Sequence, residues 1–82
     1  MLTATEEIAL LRARHLQALL PDLIKGSIWV HVDFDAIIVT ITTREVGSYR
    51  TGFDFDVNLT TFDMAKLIVA DYKRFINQRF FK

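Results

Sequence analysis

The chain contains no cysteine in its 82 residues. That absence excludes a disulfide framework, a thiolate zinc site and a cysteine nucleophile together. Small secreted domains usually carry disulfides, and this chain has none. One proline and three glycines leave little material for long flexible loops. No apolar run approaches the roughly 20 residues that cross a bilayer. The start, MLTATEEIALLRARH, lacks a basic segment followed by an apolar stretch, so no signal peptide is expected. The expected compartment is the cytoplasm.

What is present is apolar bulk. Hydrophobic residues make up 51% of the chain, with seven Phe, two Tyr and one Trp. A domain of this size buries only about 60–65% of its unfolded surface, and large aromatic rings offset that thin margin. Residues 1–82 are expected to form a single α+β domain. Net charge is zero but unevenly spread. Residues 27–63 carry Asp33, Asp35, Glu45, Asp54, Asp56 and Asp63 against Arg44 and Arg50, a balance of −4. Residues 64–82 carry Lys66, Lys73, Arg74, Arg79 and Lys82 against Asp71, a balance of +4. Such asymmetry bears on partners rather than on fold.

Periodicity supplies the elements. Thr3 or Thr5 caps a first helix with Glu6 and Glu7 in its first turn, where the helix dipole favours acids. Ile8, Leu11, Leu16, Leu19 and Leu20, with Ala9 and Ala13, make a broad apolar face at helical spacing. Pro21 ends or kinks that helix, and Gly26 closes the turn after it. From Ser27 the period becomes two. Ile28, Val30, Val32 and Phe34 point one way, and Trp29, His31, Asp33 and Asp35 the other. A second strand runs Ile37 to Thr43 and a third runs Tyr49 to Val57. Thr60 opens a last helix with Asp63 as a capping-box-like partner. Met64, Leu67, Ile68, Tyr72, Phe75, Ile76 and Phe80 form its apolar stripe.

The expected architecture is an α-β-β-β-α two-layer sandwich: a three-stranded antiparallel meander with both helices on one face. A two-residue turn at Asp35-Ala36 would pair Val32 with Val39. A three-residue turn at Val46-Gly47-Ser48 would pair Ile41 with Phe53. Both registers keep one face apolar. The other face then carries Trp29, Thr42 and Gly52 in one row, His31, Thr40 and Asp54 in the next, and Asp33, Ile38 and Asp56 in a third.

That uncovered face is the candidate site. A polar outer face is ordinary for an antiparallel sheet, but Trp29 and Ile38 are not residues that water keeps without reason. Protein binding is therefore assigned to Trp29, His31, Asp33, Ile38, Asp54 and Asp56. The carboxylates of Val-Asp-Phe-Asp and Phe-Asp-Phe-Asp do not make a metal site, because edge-strand backbones lie about 10 Å apart across three strands. His31 has no accompanying nucleophile or oxyanion signature, so no catalytic residue, metal or cofactor is expected. His15 reads as a partly buried, hydrogen-bonded structural residue.

The basic tail offers a second surface. Lys66, Lys73, Arg74, Arg79 and Lys82, interleaved with phenylalanines, are residue types that contact phosphates and stack on bases. A solvated helix end, with cations where the dipole favours them, explains the same residues. The acidic sheet and zero net charge favour the sheet face over this alternative.

The α-β-β-β-α order resembles that of double-stranded-RNA-binding domains. Those place a lysine-rich start of the second helix against phosphates. Here that position reads Thr60-Thr61-Phe62-Asp63-Met64-Ala65-Lys66, so the resemblance is one of element order and implies no RNA-binding function.

The expected function is a non-enzymatic interaction module. It would dock its Trp-bearing face, or an exposed edge strand, onto a protein partner or a second copy of itself. The size is of the kind found among phage and mobile-element accessory proteins. A further version has the acidic face imitating nucleic acid to occupy a host protein.

Overall fold

The computed structural model describes residues 3–80. Helix α1 (Ala4–Leu19) is followed by a 3-10 turn (Leu20–Asp22), strands β1 (Ser27–Asp33), β2 (Ala36–Thr43) and β3 (Gly47–Asp54), and helix α2 (Thr61–Phe80). The sheet is antiparallel in the order β1-β2-β3. Both helices share one core with Ile37, Val39, Ile41 and Tyr49, so both lie on the same face of the sheet.

Local chemistry explains each boundary. Thr3, not Thr5, caps α1: its Oγ1 accepts the Glu6 N–H at 3.1 Å while the Glu6 carboxylate accepts the Thr3 N–H at 3.4 Å. Thr60 accepts the Asp63 N–H in the same way at the start of α2. Pro21 sits in the first positions of the 3-10 turn, where its missing donor costs nothing. Gly26 has φ +142°, and a Cβ there would lie 2.9 Å from the Thr43 methyl, so only glycine fits.

The buried stripe of α1 is narrower than its hydrophobic pattern. Ala9, Ala13, Leu16 and Leu20 are buried, whereas Ile8 and Leu11 are exposed, as is Leu67 on α2. At about 100° per residue, Ile8 lies on the flank of that stripe and Leu11 on the opposite side of the helix. His15 is likewise exposed and its side chain makes no hydrogen bond among the described residues, so it is not the partly buried, hydrogen-bonded histidine expected.

The strand faces are as expected, but both registers shift. Val32 pairs with Ile37 and Val30 with Val39, around a turn at Phe34-Asp35 rather than Asp35-Ala36. Ile41 pairs with Tyr49, and Ile37 with Phe53, around Arg44-Glu45-Val46 rather than Val46-Gly47-Ser48. The shifts are of two and four residues, both even, so every side chain that stays within a strand keeps its face. Alternation cannot distinguish such registers. Turn geometry does: Gly47, with φ +92°, takes the left-handed position after a three-residue loop. β3 consequently ends at Asp54, and Phe55 and Val57 pack against the core from the segment beyond it.

Candidate functional site

The helix-free sheet face is built from four cross-strand rows. They are Ser27, Thr42 and Ser48; Trp29, Thr40 and Arg50; His31, Ile38 and Gly52; and Asp33, Ala36 and Asp54. Trp29 thus stands beside Thr40 and Arg50, not Thr42 and Gly52. His31 stands beside Ile38, not Thr40. Asp56 is not on the sheet at all; it lies exposed in the turn after β3.

Trp29 is the dominant feature. Its side chain is 60% exposed, yet its ring stacks on that of His31 at 4.1 Å between centroids and 22° between planes. Residues 29 and 31 project from the same strand face, and this spacing allows the rings to lie over one another. His31 is half-buried, and its Nδ1 is shielded from water with no hydrogen-bond partner. Ile38 is also half-buried. It leans over Gly52, where a Cβ would come within 3.0 Å of its Cδ1. A missing side chain on β3 therefore shelters an isoleucine on β2. Asp33 and Asp54 are exposed and close one end of the face, and Arg50 lies nearer the other. Among the described residues, no three His, Asp or Glu side chains are grouped to hold a metal ion.

The cations of the last helix are spread around it. At about 100° per residue, Lys66 and Lys73 lie within about 20° of each other, but Arg74 and Arg79 are turned well away. Lys66 sits over the Phe62 ring at 4.6 Å, and Arg79 over Phe75 at 5.3 Å. Arg74 pairs with Asp71 at 3.4 Å. Lys73 is exposed, and Lys82 lies outside the described residues.

Two residues matter that the sequence pattern did not single out. Arg12 donates to the carbonyls of Phe55, Val57 and Leu59 at 3.2, 3.0 and 2.6 Å, holding the chain between β3 and α2 against α1. Gln17 donates to the Ile28 carbonyl at 3.1 Å and accepts the Val30 N–H at 2.8 Å, on the outer edge of β1. One of the two sheet edges expected to be unprotected is therefore occupied. Both residues flank the Ala9-Ala13-Leu16-Leu20 stripe, and that boundary position was their only sequence signal. Phe34 was expected to face the core; it is instead 87% exposed at the β1–β2 turn with φ 58°. A bulky residue in that conformation is strained.

Tyr49, at the start of β3, donates its hydroxyl hydrogen to Asp71 at 2.5 Å and meets Tyr72 and Phe75 edge-on or tilted, both with centroids 5.5 Å away. Burial, together with that carboxylate, pushes the Tyr49 hydroxyl up to about 12. Among the described residues, no helix is long and apolar enough to cross a membrane. No family model matches the chain, no curated protein matches it, and no solved structure matches its fold.

Proposed function

We propose that the chain is a non-enzymatic protein-interaction module that docks its helix-free sheet face onto a protein partner, with Trp29 as the anchor. The observation that carries this reading is an indole left 60% exposed and stacked on the His31 ring. An ordered aromatic loses little conformational freedom on binding, which is why Trp recurs where a few residues supply most of the affinity. Ile38 gives the patch an apolar neighbour, while Asp33, Asp54 and Arg50 form a charged rim. A partner surface with an apolar hollow and a basic border suits this layout.

Trp29 is the only tryptophan, so its emission reports directly on the face. Binding of a partner should shift that emission to shorter wavelength. Trp29→Ala should weaken binding by about 30-fold or more if the indole is the anchor. Circular dichroism should be unchanged. An affinity that survives Trp29→Ala would sink the reading.

A further inference from the structure

The outer edge of β3 carries a second feature that the sheet face does not use. The Phe55 N–H donates to the Asp35 carbonyl at 2.8 Å, which continues the β2–β3 ladder by one pair. Backbone direction alternates along a strand, so Tyr49, Thr51 and Phe53 turn their N–H and C=O groups inward to β2. Ser48, Arg50, Gly52 and Asp54 turn theirs outward. Asp54 spends its carbonyl on the Val57 N–H at 3.1 Å. Among the described residues, nothing outside the sheet bonds the backbone of Arg50 or Gly52. Such an edge is a template for another strand.

We infer that β3 pairs antiparallel with β3 of a second copy, about a twofold axis at Gly52. The sequence around Gly52 is complementary to itself in this arrangement. Arg50 falls opposite the partner's Asp54, and the reverse pair falls on the other side of the axis. Neither Arg50 nor Asp54 has an ion-pair partner within its own chain among the described residues. Opposite charges facing each other across strands favour pairing. On the helix side, Thr51 falls beside the partner's Phe53, and Tyr49 beside the partner's Phe55. A groove of about 200 Å³ between β3 and α2, lined by Tyr49, Thr51, Phe53, Leu67, Ile68, Asp71 and Arg74, lies where those rings would arrive. Leu67, half-exposed without an explanation inside one chain, stands on that groove. Glycine at the axis leaves the two backbones free to approach. The product is a continuous sheet of twice three strands, with two Trp29 side chains on its open face. This pairing does not depend on what Trp29 binds.

Charge exchange tests the pairing. The wild-type chain should change from monomer to dimer in light scattering between micromolar and millimolar concentration. Arg50→Asp places two carboxylates face to face, and Asp54→Arg places two guanidinium groups face to face. Each should raise the dimer dissociation constant by about tenfold or more. An equimolar mixture of the two variants restores opposite charges at both positions and should dimerise again, as should the double variant Arg50→Asp/Asp54→Arg. Recovery in the mixture also shows that each variant is folded. Amide exchange at Arg50 and Gly52 should slow in the dimer. A wild-type chain that stays monomeric to millimolar concentration would overturn the inference. So would a dimer that survives each charge reversal made singly, or one that is lost on Trp29→Ala instead.

Discussion

The two edges of this sheet are finished differently. On β1, Gln17 reaches from α1 to occupy the Ile28 carbonyl and the Val30 N–H, so the helix supplies part of what a fourth strand would supply. On β3, the outward backbone of Arg50 and Gly52 meets no such side chain among the described residues, and α2 leaves a groove beside it. An open edge is a hazard that proteins usually blunt. One edge blunted and the other left bare, beside an apolar groove, is the asymmetry expected of a surface kept for pairing. α1 also tethers the chain that leaves β3, through Arg12, but it does so beyond the strand and leaves the edge itself free.

Arg12 is where the largest effect is expected. Arg12→Met keeps the apolar stem but removes the donors to three carbonyls, and should cost about 3 kcal/mol of stability, since bonds from a charged donor are the stronger kind. Urea unfolding measures this. An unchanged midpoint would mean that the segment from Phe55 to Leu59 holds its course without α1. Gln17→Met comes next, at about 2 kcal/mol for two backbone groups left without their side-chain partner. It should also open the β1 edge. Made together with Arg50→Asp, which disfavours pairing at β3, it should bring association back at the opposite edge. Absence of any new association would show that Gln17 stabilises β1 without guarding it.

The smallest effect concerns the tie between β3 and α2. With its folded value near 12 and the unfolded value near 10, Tyr49 holds its proton more tightly in the folded state. Its contribution is therefore complete below pH 10 and is lost as pH rises through 12. Stability measured by urea titration should fall across that window, and Tyr49→Phe should flatten the fall. A fall of equal size in the variant would assign it to other groups.

Element order and strand faces were legible in the sequence because each rests on a local period. Ile28, Val30 and Val32 alternate with Trp29, His31 and Asp33 whatever the register, so the open face could be named from the sequence. The neighbours of Trp29 on that face could not. Even shifts of register leave alternation intact, and the deciding turn residues were weak signals: Phe34 occupies a conformation that glycine would take more readily.

The sequence by itself determined the two capped helices, the three strands and the side of the sheet that residues within the paired strands face, because short-range periodicity and capping chemistry specify those. The tertiary structure decided which neighbours Trp29 has, that Ile38 is sheltered by Gly52, and that Gln17 caps one edge while no described residue caps the other. Those are contacts between segments far apart in the chain. They depend on how closely α1 settles onto β1 and on where each hairpin turns, and no local pattern encodes either distance.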